Sequence, residues 1–222
     1  MSDDTRITPQ MEVWSGDFGR SYSERNQWSL AEYRERMLAS TGFDPVELYR
    51  WLLEGVSRSA PILEVGCNVG MQLSCLSELG FRSLHGIELQ QYAVDRAAAR
   101  LPQAEIDQGS ALDLPYDDGA FELVYTSGVL IHIHPDDLSR AQSEIHRCSS
   151  RFVAGVEYHS EEPQEVSYRG HEDLLWKDDF ERRYRVRFDD LETVRSRRVP
   201  MTTDPSLSTA YFMLAKPTGD AG

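Results

Sequence analysis

The sequence predicts an α/β chain built on a seven-stranded, mostly parallel sheet with helices on both faces and an antiparallel last strand. Three observations predict it. Short apolar runs alternate with helix-patterned stretches from residue 61 to residue 159, the order that yields parallel strands joined by crossover helices. The run "ILEVGCNVG" (62–70) ends a strand on an acid and then turns through two glycines four residues apart. After residue 159 the alternation stops, and two strand-like runs remain to close the sheet as an antiparallel pair.

Taken in order, residues 1–10 are polar and read as a disordered tail, as do 216–222. The stretch 21–40 has helix-forming composition, and "DPVELYRWLLEGV" (44–56) opens with Asp44 as N-cap and Pro45 at the first helical position. Two helices are therefore expected before the first strand. Strands follow at 61–65, 82–89, 104–110, 120–128 and 151–159, with helices at 70–79, 91–101 and 135–148. A polar connection over 160–180 carries a short helix at 171–180, and the last strands are read at 184–194 and 207–215. Residues 1–58 are then expected to form an N-terminal helical lid segment on a single domain whose sheet-bearing part spans 59–216.

Composition narrows the partners. A formal charge of −14 opposes binding to phosphate backbones, so a small molecule is expected rather than nucleic acid. The chain lacks an apolar run long enough to span a membrane and begins without a secretory signature, so a cytoplasmic protein with no membrane association is expected. Cys67, Cys75 and Cys148 show no C-x-x-C pairing and read as reduced, packed thiols. A homodimer is left open.

In an open α/β sheet the ligand sits beyond the carboxyl ends of the strands. Gly66 and Gly70 let the chain turn tightly there, and Asn68 tolerates a positive φ. A dinucleotide fingerprint would place a second glycine at Asn68 and a small residue at Met71, which weakens a pyrophosphate reading. Eighteen residues after Gly70, Glu88 ends the second strand, where a carboxylate can accept both hydroxyls of a ribose. Polar stations follow the third strand ("QGSALDLPY", 108–116) and the fourth ("YTSGVLIH", 125–132), an arrangement suited to a nucleoside whose tail is not a diphosphate.

The set "LEVGCNVG", "GIEL" and "GSALDLPYDDGAFELVYTSGVLIHI" resembles the motif series of class I S-adenosylmethionine-dependent methyltransferases across residues 60–160. A narrower resemblance, to the pseudaminic acid biosynthesis-associated methylases, rests on "W-x-G-x-F-G-x-x-Y-x-x-R-N" (14–26), "GVLIHIHPDDL" (128–138) and "EYHSEEPQEVSYRGHEDLLWKDDF" (157–180). The resemblance implies a Rossmann-like fold, S-adenosyl-L-methionine as methyl donor and S-adenosyl-L-homocysteine as product. It implies Glu64 near the loop and the methionine amine, Gly66, Asn68 and Gly70 along the cofactor, and Glu88 with Leu89 at the ribose. Thr126 stands at the end of the fourth strand, and Tyr22 and Arg25 would close over the cofactor carboxylate. The adenine loop departs from the family's Gly-Asp-Ala: Gly109, Ser110 and Ala111 stand there, leaving contact to Ser110, the backbone of Ala111 and packing by Leu112.

His132 is a candidate general base, with a structural hydrogen-bonded role as the alternative, and Glu157 is the second catalytic candidate. Trp14, Phe18, His134, Tyr158, Tyr168, Arg169, Trp176 and Lys177 are candidates for the acceptor, with Arg169 and Lys177 as anchors for an acid. Trp14, Phe18 and Tyr22 also fall at helical spacing, so a packed helix face is the plainer alternative. No third ligand accompanies His132 and His134, so no metal is expected. The resemblance implies transfer to O or N of a polar, sugar-linked metabolite. Alternatives are a cationic amino or guanidino acceptor, a nicotinamide-dependent oxidoreductase, and a cofactor-binding module without turnover.

Overall fold

The computed structural model describes residues 7–217; the tail residues 1–6 and 218–222 lie outside the described residues. The N-terminal part folds as four helices, α1 (Pro9–Ser15), α2 (Asp17–Arg25), α3 (Leu30–Thr41) and α4 (Pro45–Leu52). The sheet region then runs β1 (Ile62–Val65), α5 (Met71–Glu78), β2 (Leu84–Glu88), α6 (Gln91–Arg100), β3 (Glu105–Gln108) and β4 (Phe121–Ser127). It continues with α7 (Pro135–Cys148), β5 (Ser149–Tyr158), a small hairpin of β6 (Gln164–Glu165) and β7 (Trp176–Lys177), α8 (Phe180–Arg187), β8 (Glu192–Pro200) and β9 (Ser208–Ala215).

The seven-stranded sheet has the order β3-β2-β1-β4-β5-β9-β8. Pairs up to β4–β5 are parallel, while β9 lies antiparallel between β5 and β8. Every residue of β1 is buried, and its side chains alternate between two cores. Ile62 joins the core packed on α4 and α5, whereas Leu63 and Val65 join the one under α7 and α8. Strand order reverses between β1 and β4, and such a reversal opens a crevice at the carboxyl ends of the strands.

Five expectations need correction. The tail expected over 1–10 already holds α1, because Thr8 accepts from the Met11 N–H and Pro9 starts the helix. The single helix expected over 21–40 is two: Ser29 and Glu32 form a capping box that starts α3 after a break at 26–29. The strand expected at 184–194 is displaced. Asp179 caps α8 through the Arg182 N–H, Phe180 and Tyr184 bury one turn apart on its inner face, and the strand begins only at Glu192. The helix expected at 171–180 likewise starts at Phe180, since 176–177 pair with 164–165 instead. Lys216, assigned to the tail, is tied down by its ammonium donating to the His146 carbonyl at 2.6 Å. All three cysteines are buried free thiols, and among the described residues no helix is long and apolar enough to cross a membrane.

Candidate active site

The loop after β1 is held by backbone bonds. Gly66 and Cys67 donate to the Ile87 carbonyl at 2.7 and 3.1 Å, and Gly70 donates back to Cys67 at 2.9 Å. Gly66, Asn68 and Gly70 have φ of 72°, 46° and 75°. Only glycine fits at 66, since a Cβ there would stand 2.4 Å from Cγ2 of Val129. The Asn68 N–H donates to Glu88 at 2.9 Å, and the Gln90 N–H donates to the other oxygen of the same carboxylate at 2.9 Å. Loop and acid are thus one unit, with the Glu88 side chain aimed by two backbone donors. Burial still pushes its pKa up, ahead of the lowering by those donors. Helix α5 starts from Gly70 with no side-chain cap and no acid in its first turn, leaving its amino end open to an anion. On the third loop, Ser110 accepts from the Leu112 N–H at 3.1 Å.

Across the crevice, the turn that follows β4 carries Val129 to His132. Glu157, almost fully buried on β5, accepts from the N–H groups of Val129, Leu130 and Ile131 at 3.2, 3.3 and 3.5 Å. Burial raises its pKa to about 7 against the lowering by Thr126 and these donors. His132, at the end of this turn, has Nδ1 2.6 Å from the Leu174 carbonyl. A carbonyl can only accept, so Nδ1 carries the proton and Nε2 presents a lone pair. Burial lowers the pKa to about 4, so the ring is neutral near pH 7. The ring packs on Trp14 at 4.5 Å and Tyr168 at 5.3 Å.

Helices α1 and α2 lie over this crevice. They cross closely, since a Cβ on Gly19 would overlap the Trp14 carbonyl oxygen at 1.7 Å. Trp14 meets Phe18 and Tyr22 edge-on at 5.2 and 5.3 Å, across the break between the helices. On one side Gln27 donates to the Tyr92 hydroxyl of α6 at 2.8 Å; on the other Gln10 donates to the Asp173 carbonyl at 3.2 Å and Phe18 touches His171.

Together these elements enclose a cavity of about 260 Å³. Of the sequence-predicted residues, Trp14, Tyr22, Gly66, Asn68, Glu88 and Leu89 line it, as do Ser110, Ala111, Leu112, His132 and His134. Others stand behind it. Glu64 is buried, with the Tyr125 hydroxyl donating to it at 2.9 Å and its pKa raised by burial. Gly70 closes the glycine loop, Glu157 holds the turn after β4 and Thr126 is buried in β4, while Tyr168 and Trp176 pack on His132 and His134, each pair at 5.3 Å. Phe18 packs behind Trp14. Arg25, Tyr158, Arg169 and Lys177 do not line the cavity, and Arg25, Tyr158 and Arg169 are exposed.

Sequence reasoning gave no role to Gln72, in the first turn after Gly70, and read Ser127 to Val129, at the end of β4, only as part of the polar station 125–132. It also missed Ile133 and Asp137 near the start of α7. Their positions at strand ends and helix starts on the same sheet edge were the available signal. Gln10, Met11, Trp28 and Tyr33 line the cavity from the N-terminal segment and carry no local signal at all, while Asn26, also lining it, was marked only as the last residue of the 14–26 motif.

Comparison with known proteins gives the same architecture. The profile of a family described as a methyltransferase domain matches residues 63–151. An uncharacterized methyltransferase of Synechocystis sp. is 34% identical over 92 residues, covering 41% of this chain and 43% of that protein. The chain spans less than half the length of the curated relatives it matches. Among solved structures, a Burkholderia thailandensis 1,6-didemethyltoxoflavin-N1-methyltransferase with bound S-adenosylhomocysteine superposes with a TM-score of 0.70 at 18% identity, covering 97% of this chain and 93% of that one. The cyclase SpnF superposes with a TM-score of 0.64 at 16% identity, over 79% and 82% of the two chains. The fold is therefore the Rossmann-like class I methyltransferase fold. A cyclase on the same scaffold makes the site, and not the fold, the ground for assigning chemistry.

Proposed function

We propose that the chain is an S-adenosylmethionine-dependent methyltransferase acting on O or N of a polar small molecule. One observation carries this reading. The Glu88 carboxylate, aimed by the Asn68 and Gln90 N–H groups, faces the cavity directly beside a left-handed glycine loop. That pairing suits a ribose next to a tail without a diphosphate. Leu89 and the Ser110 to Leu112 loop would hold the adenine. Gly66, Asn68 and Ser127 would hold the methionine part, with the uncapped start of α5 and Tyr22 available to its carboxylate. Gly70 closes the glycine loop through its N–H bond to the Cys67 carbonyl, and Glu64 and Thr126 are buried in β1 and β4 behind it. Bound there, S-adenosylmethionine supplies an electrophilic methyl group and is released as S-adenosylhomocysteine.

The chain's own residues align the acceptor, exclude water and take its proton. Alignment alone is worth about 7–11 kcal/mol in favourable cases. His132, its tautomer fixed by Leu174, offers Nε2 to an acceptor N–H or O–H. Glu157 contributes as a positioning residue, through the turn that carries His132. The narrow likeness supports a sugar-linked acceptor. Its acidic form loses support because Arg169 and Lys177 do not line the cavity, whereas two carboxylates, Glu88 and Asp137, do.

The test is calorimetric titration with S-adenosylhomocysteine and with NADH, followed by transfer of labelled methyl to candidate acceptors read by mass spectrometry. Binding of the homocysteine nucleoside, lost in Glu88→Ala, is expected, with no binding of NADH. NADH binding alone would overturn the reading in favour of an oxidoreductase. Binding without transfer to any acceptor would favour a cofactor-holding module.

A further inference from the structure

Two helix amino ends face the cavity and are prepared oppositely. That of α5 has neither a side-chain cap nor an acid in its first turn. That of α7 is closed: Nδ1 of His134 accepts from the Asp136 N–H at 3.2 Å, and Asp136 and Asp137 occupy the first turn. His134 and Asp137 both line the cavity next to His132 and Ile133, while no lysine or arginine lines it among the described residues. One open amino end suffices for the single carboxylate of the cofactor. An acceptor carboxylate or phosphate would meet a filled helix terminus and the Asp137 charge, with no lysine or arginine in the cavity lining to offset the loss of its hydration. The other polar groups around the reacting end, the His132 and Tyr22 side chains among them, are neutral, the phenol kept so by burial.

From this we propose that the acceptor is not an acid. It is an amine, azole or hydroxyl compound, uncharged or carrying its positive charge away from the reacting atom, whose N–H or O–H points at Nε2 of His132 and whose remaining polar groups meet Asp137. This rests on the methyl-transfer reading above. In the step, the acceptor lone pair bonds the methyl carbon, the carbon–sulfur pair returns to sulfur to leave a neutral thioether, and the acceptor proton passes to Nε2 and on to solvent.

The experiment titrates the whole chain, saturated with S-adenosylhomocysteine, with matched probes: imidazole against imidazole carboxylate, and glucuronamide against glucuronate. The uncharged member of each pair should bind roughly tenfold tighter or more, as expected for like-charge exclusion. Asp137→Asn should shrink that preference and Asp137→Lys reverse it, with affinity for S-adenosylhomocysteine unchanged as the sign of an intact fold. Equal or tighter binding of the acids, indifference to Asp137→Lys, or no binding of either uncharged probe at millimolar concentration overturns the proposal. Failure of S-adenosylhomocysteine to bind removes the methyl-transfer reading and this one with it, whereas its binding together with a preference for acids overturns this one alone.

Discussion

The two halves of the cavity are assembled by different means. The cofactor half consists of loops at the ends of consecutive strands, β1 to β4, fixed by backbone N–H groups, Gly66 donating to the Ile87 carbonyl and Asn68 to the Glu88 carboxylate. The acceptor half is assembled by side chains meeting across the chain. Trp14 reaches His132, and Gln10 bonds Asp173 across 163 residues. Local backbone geometry makes the first half, and tertiary packing makes the second. The halves should therefore fail separately when broken.

The sharpest separation should come from His132→Asn. It removes the Nε2 lone pair from the acceptor half and touches no bond of the glycine loop. Turnover should fall about 100-fold to 10,000-fold, the range for loss of a general base. Affinity for S-adenosylhomocysteine, measured by calorimetry, should stay within about threefold of the parent, since less than about 0.7 kcal/mol is at stake. An equal loss in both readouts would mean that the halves are one unit. The converse break is Gly66→Val, which forces a β-branched residue to φ 72° against the Val129 side chain. Strain of about 1–3 kcal/mol plus the clash should cost about 100-fold or more in that affinity.

Glu157 bridges the halves, and pH reads its contribution. Its carboxyl holds a proton up to about pH 7 in the fold, against the ordinary 4.5. Between these values the folded chain binds a proton that the unfolded chain has released, so stability falls as pH rises through the window and levels off above it. A shift of this size corresponds to about 3 kcal/mol as an upper bound. Denaturant midpoints from pH 4 to pH 8 should slope downward in the parent, and Glu157→Gln should flatten the slope. Identical slopes would place the titration elsewhere, on Glu64 or Glu88, which burial also raises.

The same division explains what was legible in the sequence. Glu64 and Glu88 stand in strands that can be read from short apolar runs, and Gly66, Asn68, Gly70 and Ser110 follow such strands, so residue type and place in the fold come from one local stretch. The fold was legible for the same reason, down to β9 closing antiparallel on β5. The N-terminal helices were read one break short because a polar stretch was given a single period, although Ser29 and Glu32 mark the capping box. In "FERRYRVRF" the alternation of arginine with apolar residues mimics a strand, while Phe180 and Tyr184 one turn apart decide for a helix. Nothing local indicates that Met11 would reach Ser110, because that contact exists only once both segments are packed.

Charged residues near the acceptor half were the easiest to overvalue from sequence, and they provide the smallest expected effects. Arg25 ends α2 with its side chain exposed. Arg169 sits at φ 53° in an exposed turn, its guanidinium 5.7 Å from the Tyr168 ring centroid. Neither lines the cavity, and exposed charges exchange their hydration for little gain, typically about 0–1 kcal/mol. Arg25→Ala and Arg169→Ala should each change turnover and S-adenosylhomocysteine affinity by less than about twofold at physiological ionic strength, where screening weakens what remains. A tenfold loss in Arg25→Ala would mean that α2 turns its arginine inward once the cofactor carboxylate arrives. The cofactor half would then depend on the N-terminal helices, and the two halves would close as one.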